Sequence, residues 1–103
     1  MRMRVYTIDA IQDRLKQLPL DARVRRLILF GSHAKGTAQE RSDIDFFLDS
    51  DGRITGFDFF ALKATLEDAF QREIDLLPDV DVMPDSRVAA EIAREGVMVY
   101  ARQ

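Results

Sequence analysis

Two apolar runs separated by a short polar turn constrain this chain most: residues 27–48 read LILFGSHAKGTAQERSDIDFFL. The first run, within VRRLILF at 24–30, reads as a strand that stops at Gly31. The second, Asp43 to Leu48, alternates with period two. It places Ile44, Phe46 and Leu48 on one face of a strand and Asp43, Asp45 and Phe47 on the other. Asp43 and Asp45 follow a Gly31-Ser32 turn, Asp43 eleven residues after Ser32. The expected product is a sheet with one apolar face and one face that carries carboxylates.

Helical patterns alternate with these strands. Ile8, Ile11, Leu15 and Leu18 recur at spacings of three and four, which predicts an amphipathic helix over 8–18 with Thr7 as its N-cap and Pro19 and Asp21 as its stop. Ser32 to Lys35 reads as one helical turn closed by Gly36. Residues 49–56, DSDGRITG, read as a loop, and Phe59, Leu62, Leu66 and Phe70 mark a helix over about 57–71. EIDLL at 73–77 predicts a third strand bounded by Pro78. A last helix is expected to start at Pro84, present Val88 and Ile92, and stop at Gly96, and VMVY at 97–100 follows as an edge strand. The order predicts an α/β (α+β) fold: a mixed β-sheet of three to four strands with helices packed on one face.

The chain has 103 residues, which suits a single domain over 1–103. Hydrophobic residues make up 47% and charged residues 32%, the balance of a folded domain rather than a disordered one. A net charge of −3 argues against broad attraction to nucleic acid, although Arg23, Arg25 and Arg26 cluster before the first strand. There is no cysteine, so disulfide and thiolate chemistry are excluded. The opening MRMRVYTIDA has no apolar core of signal-peptide length, and no run approaches the ~20 residues that span a bilayer. A cytoplasmic protein without membrane contact is expected.

Asp43 and Asp45, two apart on a strand, stand ~6.6 Å apart at their α-carbons. Carboxylates this close repel unless positive charge lies between them. Mg²⁺ prefers carboxylate, phosphate and water oxygens, and two such ions can clamp the attacking and leaving oxygens of a nucleotidyl transfer. Asp75 is the candidate third carboxylate, since a neighbouring strand lies only ~4.8 Å away. By itself an Asp-x-Asp pair is more often two solvated aspartates than a metal site. The Gly31-Ser32 turn shifts the balance toward the metal site: Gly31 lets the backbone approach a ligand, and Ser32 adds a hydroxyl and an N–H suited to phosphate. GSHAKGTA lacks the Gly-Lys-Ser/Thr ending of a P-loop, so that class of NTPase is rejected.

Lys35 and Arg41 flank the turn as candidate partners of triphosphate oxygens. Ser42, beside Asp43, is grouped with Gly31, Ser32 and Lys35 as nucleotide-binding, with a local hydrogen bond or cap as its other role. His33 is expected as an exposed turn residue, and one histidine without cysteine argues against zinc. Five of the seven phenylalanines fall within residues 46–60, and most are expected in the core.

GSHAKG, SDIDFFLDS and EIDLL together resemble the nucleotidyltransferase superfamily with the polymerase β-like fold, in particular its minimal, MNT-type branch. The ending SRVAAEIAREGVMVY is similar to the tail of that branch, so the resemblance covers nearly the whole chain. It implies that Gly31 and Ser32 hold triphosphate and that Asp43 and Asp45 bind two Mg²⁺ ions. It further implies that Asp75 completes the site and activates the acceptor hydroxyl, with ATP as substrate and pyrophosphate released. Members often carry Arg where this chain has His33 and Lys35. The branch also implies a partner, a HEPN toxin that receives AMP on a tyrosine, which would make this chain an antitoxin; the edge strand near the C-terminus and the Phe-rich segment leave a homo- or hetero-oligomer open. A domain this small leaves little protein for an acceptor pocket, which a partner could supply. Two other readings stay open: a non-catalytic antitoxin that neutralises its partner by contact, and a small-molecule enzyme acting on an acceptor such as an aminoglycoside.

Overall fold

The computed structural model describes residues 5–102. The element order is α1 (Ile8–Lys16), β1 (Arg26–Phe30), α2 (Gly31–Lys35), β2 (Ile44–Asp49), α3 (Gly56–Phe70), β3 (Ile74–Pro78), a 3-10 turn at Asp79–Asp81, α4 (Arg87–Glu95) and β4 (Val97–Ala101). The four strands form one mixed sheet in the order β3-β2-β1-β4. β1 is antiparallel to β2 and to β4, while β2 and β3 are parallel.

The expected alternation along β2 is what builds the core. Ile44, Phe46 and Leu48 are fully buried, together with Leu27 and Leu29 of β1 and Ile74 of β3. α1 and α3 close this face: Ile11 and Leu15 come from α1, and Leu62, Leu66 and Phe70 from α3. Each buried side chain of this size contributes about 1.5–3 kcal/mol from removal of apolar surface. Phe70 is the junction of the layer. Its ring packs against Phe46 at 6.0 Å and against Tyr6 edge to face at 5.2 Å, and the Tyr6 hydroxyl donates to the Phe70 carbonyl at 2.8 Å.

The parallel pair needs a crossover, and α3 supplies it. Fifteen residues of helix span about 22 Å. That returns the chain past the roughly 20 Å of a six-residue strand to start β3 beside the beginning of β2. The helix starts follow local capping. Thr7 Oγ1 accepts from the Ala10 N–H at 3.1 Å, as expected. Helix α4 begins later than expected. Pro84 lies in a preceding turn, and Ser86 is the cap, its hydroxyl oxygen accepting from the Ala89 N–H at 3.1 Å. The first helix also ends earlier, at Lys16, with Gln17 as C-cap.

Two expectations about exposure are corrected. Phe57 and Phe60 are 89% and 66% exposed, so the aromatic cluster is split between core and surface. His33 is buried rather than exposed. None of the described helices is long and apolar enough to cross a membrane.

Candidate active site

The site forms where β1 ends and β2 begins. Phe30 is paired with Asp45 in the antiparallel register, and Asp45 is paired with Asp75 in the parallel one. The two aspartates therefore sit side by side on adjacent strands, on the face opposite the core. Their carboxyls lie close enough for Asp75 to act on Asp45 by charge and hydrogen bonding. The structure thus puts Asp75 where a third carboxylate was expected. Asp43 is exposed and lies one residue before the β2 ladder, which opens with the Ile44 N–H donating to the Glu73 carbonyl at 3.1 Å. Among the described residues no three His, Cys, Asp or Glu side chains converge as a preformed metal cage. What converges is the Asp45–Asp75 pair, with Asp43 and Glu91 near enough to act on Asp45 by charge.

Gly31 makes this packing possible. Its φ of 72° lies in the left-handed region, where a Cβ is strained. A Cβ at this position would also overlap the Asp45 carboxylate, lying 3.0 Å from its Cγ and closer still to Oδ2. The backbone can come up against the carboxylate only because nothing projects from residue 31. The turn then winds through α2 and closes at Gly36, φ 76°, whose N–H donates to the Ser32 carbonyl. Among the described residues the Ser32 side chain makes no hydrogen bond, which leaves its hydroxyl available beside Asp45's strand.

His33 serves this geometry from below. Its Nδ1 lies 3.2 Å from the Asp43 carbonyl, which can only accept, so Nδ1 carries the proton there. Burial holds the imidazole below its ordinary pKa, and a neutral ring that ties α2 to residue 43 is the result. Ser42 Oγ accepts from the Gln39 N–H at 2.8 Å and closes the turn leading into Asp43, so its observed task is the local one. Lys35 is engaged by α4: its Nζ is 3.7 Å from Glu91 and 3.6 Å from Glu95.

Glu91 escaped the sequence reading. It lies on α4, pairs with Lys35, and adds to the negative potential at Asp45. Glu91 and Glu95 share a helix face by their spacing of four, but nothing in the sequence places that face beside β2.

The electrostatics are unbalanced. Burial pushes the Asp45 carboxyl up, and the charge and hydrogen bond of Asp75, then Asp43 and Glu91, push it further, to about 7. At the other end of the same strand Asp49 has a cation, with Arg26 Nε at 2.8 Å. An all-oxygen carboxylate set in which like charges crowd Asp45 fits a hard divalent cation such as Mg²⁺.

Comparison with known proteins agrees with this geometry. Residues 10–103 match the family model described as polymerase beta, nucleotidyltransferase. A candidate protein adenylyltransferase of Methanocaldococcus jannaschii is 32% identical over 81 residues, covering 75% of this chain and 94% of that protein. A second from the same organism is 30% identical over 77 residues, covering 75% and 83%. Among solved structures, a toxin–antitoxin complex with AMP-PNP superposes with a TM-score of 0.69 at 20% identity, covering 95% of this chain and 76% of that one. A complex of tri-AMPylated Shewanella oneidensis HEPN toxin with MNT antitoxin gives 0.68 at 16% identity, covering 94% and 75%. The paired carboxylates, the Cβ-free turn against them and the match along almost the whole length place this chain in the polymerase β nucleotidyltransferase family.

Proposed function

We propose that this protein is a Mg²⁺-dependent adenylyltransferase that moves AMP from ATP onto a tyrosine hydroxyl of a HEPN toxin and so acts as its antitoxin. The observation that carries this reading is the Asp45–Asp75 pairing packed against Gly31. The relatives named as candidate adenylyltransferases and the similar complex with an AMPylated toxin support the choice of AMP and of a protein acceptor. Asp43 and Asp45, with Asp75 beside them, would hold Mg²⁺, which supplies charge neutralisation for the triphosphate and the departing pyrophosphate.

The chain's own residues then do three things. Gly31 and Ser32 offer backbone N–H groups and a hydroxyl to the phosphates, next to the carboxylate row, with Lys35 and Ser42 at the margin. Asp75, exposed at its strand position, faces the side from which an acceptor arrives and takes the proton of the attacking hydroxyl. The oxygen–phosphorus bond forms at the α-phosphate as the bond to pyrophosphate breaks, and the oxygen's proton leaves on Asp75. ATP and Mg²⁺ abundance make the cytoplasm the place for this reaction.

Incubation with labelled ATP, Mg²⁺ and a HEPN-domain protein tests the proposal. Label is expected on the toxin with the wild type and to be lost with Asp43→Ala and Asp45→Ala. Toxin neutralisation that survives both substitutions would establish neutralisation by contact alone, and label on an aminoglycoside but on no protein would assign a small-molecule acceptor.

A further inference from the structure

Helix α3 is apolar on two sides. Its inner stripe, Leu62, Leu66 and Phe70, is buried against the sheet. On the outer side Phe57, Phe60, Ala61 and Ala64 recur at i, i+3, i+4 and i+7, and all four are exposed. At ~100° per residue these four fall within one stripe about 100° wide, the pattern of a helix face that packs on something. The aromatic end of the stripe lies far from the carboxylates: β2 runs away from Asp45 to Asp49, and α3 begins beyond that end. Nucleotidyl transfer makes no use of it.

We propose that this stripe is the face on which a second copy of the chain docks, the two α3 helices packing antiparallel about a two-fold axis near Phe60 and Ala61. That arrangement sets Phe57 of each copy over Ala64 of the other, a ring into the space left by a small residue, with the two Phe60 rings side by side. A parallel pairing would stack Phe57 on Phe57 and Asp68 on Asp68. The charges also favour the antiparallel pairing. Asp68 is exposed and continues the stripe at its C-terminal end. At the other end Thr55 makes no side-chain cap bond and Arg53 is exposed. The antiparallel pairing carries each Asp68 toward the other copy's helix N-terminus and Arg53, opposite in sign.

The area points to a weak contact. With ~200 Å² per ring, exposures of 89% and 66% leave about 300 Å² of aromatic surface per copy. The alanines and a polar rim bring the total for two copies near the ~1,000 Å² lower bound of specific interfaces. A reversible dimer with a dissociation constant on the order of tens of micromolar is expected.

Sedimentation velocity over a concentration series that brackets this range tests the proposal. The wild type should shift from monomer to dimer mass. Phe57→Ser/Phe60→Ser should stay monomeric at every concentration with unchanged circular dichroism, because both side chains are already exposed. Should that double variant lose helical signal, Ala64→Glu replaces it, since glutamate is a good helix former that sets a charge beneath Phe57. A wild type that remains monomeric throughout, or a dimer that persists in the folded variants, would overturn the proposal. So would a free chain that stays monomeric while the substitutions release a HEPN partner, because the stripe would then belong to that partner. AMP transfer by the folded variants separates this outcome from any failure of the catalytic reading.

Discussion

Asp45→Asn should stabilise the metal-free protein at alkaline pH while abolishing transfer. In the fold the Asp45 carboxyl titrates near 7, against 3.8 for the ordinary side chain. A group whose folded pKa is raised binds more protons folded than unfolded between those two values. Stability therefore falls as pH rises from about 4 to about 7 and levels off above. A shift of about 3 units corresponds to about 4 kcal/mol as a ceiling. Asp45 is half-buried and its neighbours Asp43 and Asp75 are exposed, so solvent screening reduces the ceiling to about 1–2 kcal/mol. Asparagine keeps the shape and removes the charge.

In urea or thermal unfolding with EDTA present, Asp45→Asn should exceed the wild type by about 1–2 kcal/mol at pH 8, or about 5–10 °C in Tm for a domain of this size. At pH 4 the two should coincide. Added Mg²⁺ should raise the wild-type midpoint and leave the variant's unchanged, since only the wild type keeps the full carboxylate set. The reasoning fails if the variant is no more stable at pH 8, or if its advantage is the same at pH 4 and pH 8. A variant that unfolds would make Asp45 a structural residue and not a site.

Gly31→Ala combines a left-handed backbone with a side-chain overlap on Asp45. It should cost at least the roughly 1–2 kcal/mol of the backbone term alone. It should also lose AMP transfer, read by denaturant unfolding and by the label assay; full activity would show that the close approach of residue 31 to the carboxylate is dispensable. His33 is held neutral by burial, so protonation opposes folding, and its contribution to stability is lost as pH falls below about 6.5. His33→Leu should remove that acid-side loss while giving up the bond to the Asp43 carbonyl, at about 1–3 kcal/mol; an unaltered slope of stability between pH 7 and pH 5 would refute the buried neutral ring.

Local chemistry made much of this fold readable. The alternation of β2, the Thr7 cap, the Gly31 stop and the Gly36 closure each depend on neighbours a few residues away, and each appears in the structure where expected. The aspartate pair Asp43 and Asp45 was legible for the same reason, as was the strand containing Asp75. The parallel register of Asp45 on Asp75 was not, because it depends on how a fifteen-residue crossover lands. His33 looked like a turn residue since its partner is a backbone carbonyl ten residues away. Proline is tolerated at a helix start, which pointed to Pro84; Ser86 takes the position because its hydroxyl can accept the Ala89 N–H and proline's ring cannot. The outer and inner stripes of α3 have the same 3.6-residue period, so sequence alone could not say that Phe70 faces the sheet and Phe57 the solvent.

The two faces of β2 explain why the carboxylates stay together. Repulsion between Asp45 and Asp75 could relax if β2 and β3 moved apart. On the other face, however, Phe46 and Leu76 are register partners one residue along, both buried in the same cluster with Phe70. Parting the strands would open that cluster to water at a cost of several buried side chains, about 1.5–3 kcal/mol each. That exceeds the roughly 1–2 kcal/mol of carboxylate strain left after screening. The backbone therefore stays closed, and relief has to come from a group that binds at the site. Below pH 7 a proton on Asp45 is enough. Above it, a bound cation can neutralise the row. The packing that makes the domain stable is thus what holds its carboxylates side by side.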